Sequence, residues 1–252
     1  MMKKVLTLIL LLSGIFTFSQ QDTLKNLAPI IANPMKISLS VTYVTQHYWR
    51  GIGRGGLFGK APSFETQITM MKNRWTFGIF AGASLDNIYK TVMPFVIYKV
   101  TPEFSVALQD MFSPGTNFWN SKPLDFDIIT SKHFVDYYMV YRFKGVPIQL
   151  KWASIVLGKD PNENGKRNFS SYAEISSGFK VNKWQFDGYV GGTPWKGLYA
   201  QEAGIINLEA KAQYNFAISD SLPFPIFVKV AHNPSAKTQH FIAGCTVILP
   251  LK

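Results

Sequence analysis

Apolar and polar residues alternate most clearly over 206–216. Ile206, Leu208, Ala210, Ala212, Tyr214 and Phe216 fall on one face, and Asn207, Glu209, Lys211, Gln213 and Asn215 on the other. Successive side chains of a strand point to opposite sides, so one face of this segment suits hydrocarbon and the other water. The split recurs over 171–180, where Ala173, Ile175 and Phe179 oppose Tyr172, Glu174, Ser176 and Lys180, and over 184–190, where Trp184, Phe186 and Val190 oppose Gln185, Asp187 and Tyr189. Read along the chain, the pattern predicts strands at 37–50, 63–71, 75–85, 89–100, 104–113, 132–143, 147–158, 169–180, 184–192, 203–218, 224–231 and 238–249.

The connections alternate in length. Lys72-Asn73-Arg74, Thr101-Pro102-Glu103, Lys144-Gly145-Val146 and Val181-Asn182-Lys183 are tight turns, whereas 51–62, 114–131, 159–168 and 193–202 are long polar or glycine-rich loops. Short periplasmic turns and long extracellular loops are the rhythm of an outer-membrane barrel. The expected fold is therefore all-β, an up-and-down antiparallel transmembrane β-barrel of about twelve strands with both ends periplasmic. Ten strands is the alternative. Pro94 lacks a backbone donor and implies a bulge or break in its strand, and the Asp86-Asn87-Ile88 link is short for the extracellular side.

Residues 1–19 read as an export signal, with Lys3 and Lys4 ahead of an apolar stretch and small Ser19 near the expected cleavage point. That apolar stretch, Val5 to Phe18, is shorter than the roughly 20 residues a spanning helix needs. Residues 20–35 are expected to be an N-terminal periplasmic segment and 36–252 the barrel. The single cysteine, Cys245, excludes an intramolecular disulfide. It falls on the apolar face of the last strand, where a thiol acts as a small hydrophobe.

Without Lys3 and Lys4 the net charge of +11 becomes +9, scattered one or two residues per turn and loop. Nucleic-acid binding requires basic residues gathered on one face, so no nucleic acid is expected, and outer-membrane lipid and lipopolysaccharide are the anionic neighbours such loops favour. Aromatic residues gather near strand ends: Tyr48, Trp49, Trp75, Tyr89, Phe112, Tyr141, Phe143, Trp184, Trp195, Tyr199 and Phe224. This is the placement of interfacial girdles.

Closing the sheet places Glu65, Asp136, Lys151, Glu174, Asp187, Glu209, Lys211 and Arg50 in one interior. Such charges are costly unless paired, so cross-lumen ion pairs are expected. Glu174, Asp187, Glu209 and Lys211, from three consecutive strands, form the predicted lumen charge cluster, which would narrow the pore and set its ion preference. The interior is expected either to be filled as a rigid scaffold or to pass a solute. Loop 114–131 is unusually apolar, with Phe118, Trp119, Leu124, Phe126, Ile128 and Ile129, and is expected to fold into the barrel mouth or cap a partner. Loops 51–62, 114–131 and 193–202 are candidate surfaces for another envelope protein.

Chemical motifs fail on spacing. The stretch from Asp160 to Gly165 begins like a calcium loop, but its twelfth position is Ser171 where a bidentate Glu is required. Gly56 to Ala61 lacks the spacing and hydroxyl of a phosphate loop. His47, His133, His232 and His240 have no ligand company that reads as zinc. No catalytic residue, cofactor or metal is expected and the chain reads as a non-enzyme, a lipid-modifying barrel being the alternative that a Ser, a His and an acid on one wall would support.

Tyr43-Val44-Thr45-Gln46-His47-Tyr48-Trp49-Arg50-Gly51 resembles the opening strand of small, mostly uncharacterised outer-membrane barrel proteins of the Bacteroidota. Trp75-Thr76-Phe77-Gly78 with Ala81 resembles their second pair, and Phe224 to Asn233 with Phe241-Ile242-Ala243-Gly244 their closing pair. The resemblance implies an up-and-down barrel in the outer membrane, inserted by the barrel-assembly machinery, and carries no activity with it. The ending Leu249-Pro250-Leu251-Lys252 departs from the terminal aromatic residue of many barrels.

Overall fold

A computed structural model describes residues 34–219 and 222–251. The expected export signal and nearly all of the expected periplasmic segment lie outside them. The strands are β1 (Lys36–Val44), β2 (Ser63–Lys72), β3 (Trp75–Ser84), β4 (Lys90–Lys99), β5 (Phe104–Phe112), β6 (His133–Arg142), β7 (Ile148–Gly158), β8 (Ser171–Val181), β9 (Trp184–Thr193), β10 (Gly204–Tyr214), β11 (Ala217–Ser219), β12 (Leu222–Pro223), β13 (Ile226–Asn233) and β14 (Thr238–Leu251). Twelve of them close into one antiparallel barrel, and β11 and β12 form a separate ribbon between β10 and β13.

Closure is made by the two ends of the sheet. β1 pairs with β14 from Ile37↔Leu251 to Val44↔Gly244, so the barrel has no open edge. Hydrocarbon offers no hydrogen bonds to an unpaired strand, so a sheet can span a bilayer only in this closed form. The outer wall meets the other requirement. Ile68, Ile79, Leu108, Ile175, Val190, Leu208, Val230 and Phe241 are 39–65% exposed on it, far more bulky apolar surface than a soluble domain leaves to water. The chain is an outer-membrane-type transmembrane barrel.

Local chemistry explains the tight end. Asn73 and Asn182 take positive φ angles of 55° and 54° in the links β2–β3 and β8–β9, a region that asparagine enters more readily than most side chains. Beside these turns the rings of Trp75 and Tyr98 lie 4.5 Å apart, those of Trp184 and Tyr214 5.0 Å, and those of Tyr141 and Phe143 5.0 Å. This belt is the girdle expected from the sequence at the short-turn end.

Three local expectations are corrected. β1 stops at Val44, not at residue 50, and the chain then turns away from the wall. Ile206 is not on the lipid face: the register shifts between Ile205 and Asn207, and the extra residue of this bulge turns Ile206 inward, where it is fully buried. Of the two outcomes expected at Pro94 it is the break that occurs: β4 and β5 keep one register, Val92↔Phe112 and Phe95↔Gln109, while pairing lapses at the two positions between. Tyr89 and Tyr199 are buried rather than interfacial.

The two faces should differ in their tolerance of charge. Ala210→Arg, on the lipid side near mid-strand, should cost about 2–4 kcal/mol, whereas Gln213→Arg, on the lumen side, should be nearly neutral. Reversible unfolding from lipid vesicles measures both, and equal costs would contradict the register.

Candidate functional site: an inward-folded loop and a charge belt

Residues 45–60 leave the top of β1 and cross the lumen. Trp49 and Ile52 exchange backbone hydrogen bonds of 2.8 and 2.9 Å, making a miniature hairpin whose two turn residues, Arg50 and Gly51, have φ of 48° and 83°. Consecutive positive φ angles define the tight turn that suits a twisted hairpin. Glycine is required at the second position for another reason: a Cβ on Gly51 would stand 2.1 Å from the Ile206 carbonyl oxygen. The β10 bulge and the hairpin therefore fit each other.

The turn presents Arg50 to the opposite wall. Its Nη2 donates to Asp136 Oδ2 on β6 at 2.5 Å and its Nη1 donates to the Tyr199 hydroxyl at 2.6 Å. The guanidinium also lies 4.6 Å from the Trp49 ring centre and 5.5 Å from that of Tyr172. The two charged side chains are only 3% and 0% exposed. Gln109 Nε2 donates to the same Asp136 oxygen at 3.1 Å.

A second chain of hydrogen bonds ties the hairpin to β8 and β10. Tyr48 donates to Asn207 Oδ1 (2.7 Å), Asn207 Nδ2 donates to the Tyr172 hydroxyl (3.2 Å), and Tyr172 donates to Glu174 Oε2 (2.6 Å). Gly191 makes room for this, because a Cβ there would lie 2.0 Å from the Tyr172 hydroxyl. Further along, His47 pairs with Glu65 at 2.7 Å and stacks on Tyr89 at 4.3 Å. Asn233 Nδ2 donates to the Gly51 carbonyl at 3.0 Å.

The far end of the loop is clamped by Asp86, in the β3–β4 link. Its carboxylate accepts from the Ser84 hydroxyl (2.5 Å) and from the backbone N–H groups of Lys60 (2.7 Å), Ala61 (3.1 Å) and Ile88 (3.3 Å). The Ser84 hydroxyl, followed by the Lys60 N–H, holds its pKa down to about 2. The short link that looked anomalous for the extracellular side is thus a clasp for the neighbouring loop.

Below the hairpin the lumen wall of β7 to β13 carries three lysines and three carboxylates. Lys151 faces Glu174 in register, Asp187 faces Lys211, and Lys229 bonds Glu209 at 3.0 Å. Of the predicted cluster, Glu174 is engaged by Tyr172, Asp187 accepts from Gln185 Nε2 at 3.1 and 3.0 Å, and Lys211 lies 4.9 Å from the Phe227 ring. The four sit on neighbouring strands of one wall, while the direct ion pair of that wall is made with Lys229, which the sequence reading left out. Lys229 escaped because its strand, 226–233, is apolar at nearly every other position, and one lysine there resembles a strand-end residue.

Loop 114–131 does not enter the mouth. His133 pairs with Phe112 on the outward side of the pleat, where its Nδ1 meets both Asp110 oxygens at 2.9 Å, its Nε2 meets the Pro123 carbonyl at 3.1 Å, and the Phe126 ring lies 4.2 Å away. The loop therefore folds against the outer rim, leaving Leu124 87% and Ile129 57% exposed. The calcium-like segment is used structurally: Asp160 accepts from Ser170 N and Oγ at 2.9 and 2.5 Å. Among the described residues no group of three or more His, Cys, Asp and Glu is placed to hold a metal ion.

No family model matches the chain, and no curated protein matches it. Among solved structures it is similar to the KdgM porin (6% identity, TM-score 0.49, covering 85% of this chain and 99% of that one). It is also similar to an outer membrane channel from Pseudomonas putida F1 (12%, 0.48, 90% and 100%), and to the CymD monoaromatic hydrocarbon channel (11%, 0.44, 88% and 89%).

Two measurements probe the loop. Asp136→Ala leaves Arg50 as a buried unpaired charge and should cost about 3–5 kcal/mol, whereas Arg50→Met combined with Asp136→Leu should recover most of that; urea unfolding from vesicles compares them. The Asp86 clasp has a folded pKa below the ordinary carboxylate value, so its stabilisation is present above about 4 and lost as pH falls through about 2. Pepsin should leave residues 53–60 intact at pH 4 and cut them at pH 2, and Asp86→Asn should be cut at both.

Proposed function

We propose that this protein is a narrow, porin-like channel of the outer membrane whose constriction is the 45–60 segment. The observation that carries this reading is the match between strand number and loop. Eight strands enclose an interior that side chains alone can fill, and sixteen or more leave an aqueous channel. Twelve strands lie between these limits, and here one loop, held by Arg50, Tyr48 and His47 at three separate points of the wall, narrows what remains. The charged belt beneath it favours a wet lumen, since apolar side chains would fill a closed one at lower cost.

The segment Tyr48-Trp49-Arg50-Gly51, which carries the resemblance to outer-membrane barrels of the Bacteroidota, is the constriction hairpin itself. The sequence resemblance supports placing the chain with those barrels, with outer-membrane lipid and lipopolysaccharide as its surroundings and the barrel-assembly machinery as its partner in insertion.

Planar-bilayer recording tests the proposal. Wild-type protein should give a small, steady conductance, and deleting residues 47–58 should raise it severalfold while the barrel still resists unfolding. Silence from both proteins would overturn the channel and leave a filled scaffold.

A further inference from the structure

The predicted cluster of Glu174, Asp187, Glu209 and Lys211 belongs to a wider belt in which Lys151 and Lys229 bring the count to three lysines and three carboxylates, so the net charge of the belt is zero. Charge is uncompensated elsewhere, at the short-turn end. Lys36, Lys99, Arg142 and Lys180 are the last or next-to-last residues of β1, β4, β6 and β8 at that end. Each shares the lumen side of its strand with polar or inward residues: Lys36 with Ser38 and Thr42, Lys99 with Phe95 and Ile97, Arg142 with Asp136 and Tyr138, Lys180 with Glu174 and Ser176. Lys72 at the end of β2 and Arg74, Lys144 and Lys183 on the turns add four more cations.

All eight are exposed, and among the described residues none makes an ion pair. The described residues of that end supply one carboxylate, Glu103, which accepts a hydrogen bond from the Thr101 hydroxyl at 3.2 Å. Among the described residues the opposite end holds seven: Asp86, Asp110, Asp125, Asp127, Asp160, Glu163 and Glu202. Among the described residues the asymmetry is therefore in the carboxylates, of which the short-turn end holds one.

Resting on the channel reading, we infer that the periplasmic mouth is an anion-collecting ring and that the channel favours small solutes bearing carboxylate or phosphate groups. The lumen-side four set the preference. Rings of charge in a confined path select ions, and exposed charges act over a Debye length of about 8–10 Å at physiological salt, which covers a narrow mouth. The paired belt above the ring lets an anion pass without imposing a sign of its own. The turn cations face the phosphates of the surrounding leaflet, the other source of the same chemistry, and contribute little to permeation.

Reversal potentials in bilayers of zwitterionic lipid, under a salt gradient, separate these roles. Wild type should prefer chloride over potassium by about threefold or more at low salt and lose the preference near 1 M. Replacing Lys36, Lys99, Arg142 and Lys180 together by Gln should bring the ratio close to one, while replacing Lys72, Arg74, Lys144 and Lys183 by Gln should leave it nearly unchanged. A ratio indifferent to the lumen-side replacement, or one equally sensitive to the turn replacement, overturns the inference. Pyrophosphate binding to the folded barrel in zwitterionic micelles is the companion measurement. Binding lost only in the lumen-side variant, from a protein that conducts nothing even after deletion of 47–58, would sustain the ring and refute the channel. Absence of pyrophosphate binding in wild type would refute the ring.

Discussion

Everything in this molecule follows from the rule that a backbone polar group in hydrocarbon must find its partner within the protein. The rule forces β1 onto β14 and forbids an edge, and it fixes the faces, because a closed sheet with a period of two has one side for lipid and one for the lumen. A closed sheet of twelve strands is wider than the eight-stranded barrel that side chains alone can fill. The chain answers with a loop.

That loop is costly in isolation. Arg50 takes a left-handed backbone conformation that non-glycine residues avoid, and its guanidinium is withdrawn from water. The cost is offset because the same turn completes two hydrogen-bonded units at once, the Arg50–Asp136 pair with Tyr199 and Gln109 around it, and the tyrosine and asparagine relay to Glu174. Strained residues cluster where the surrounding structure over-determines them, and here the determinants come from β2, β6, β8, β10 and β13 together. Such a device is positioned by the whole wall and not by one neighbour.

The fold was legible because lipid imposes a strong pattern on a strand: apolar residues at every second position over ten residues leave little else for 171–180 or 206–216 to be. The interior was less legible. Tyr43 to Arg50 reads as one continuous strand because aromatic and β-branched residues suit a wall and a packed hairpin alike, and only the Arg50-Gly51 pair marks the turn. Ile206 was assigned to lipid because a bulge changes the parity of a strand without changing its composition. Of the two places expected for the apolar loop 114–131, the barrel mouth fails for a related reason: hydrophobicity shows that a segment seeks cover, and it does not show on which side of the wall the cover lies. Asp136, by contrast, was placed correctly in the interior, since an acidic residue in the middle of an apolar strand must face water or a partner.

The 45–60 segment resides in the lumen and, in the proposed channel, limits the pore. In a Cys245→Ala background, Tyr48→Cys and Asn207→Cys place two thiols where the native side chains meet at 2.7 Å. A short bifunctional thiol reagent should then join the loop to β10 in nearly every molecule, and conductance before and after cross-linking should be the same, because the loop is already in place. Failure of the two positions to join, or a conductance that falls sharply once they do, would show that the loop ordinarily lies outside the lumen and would contradict the account.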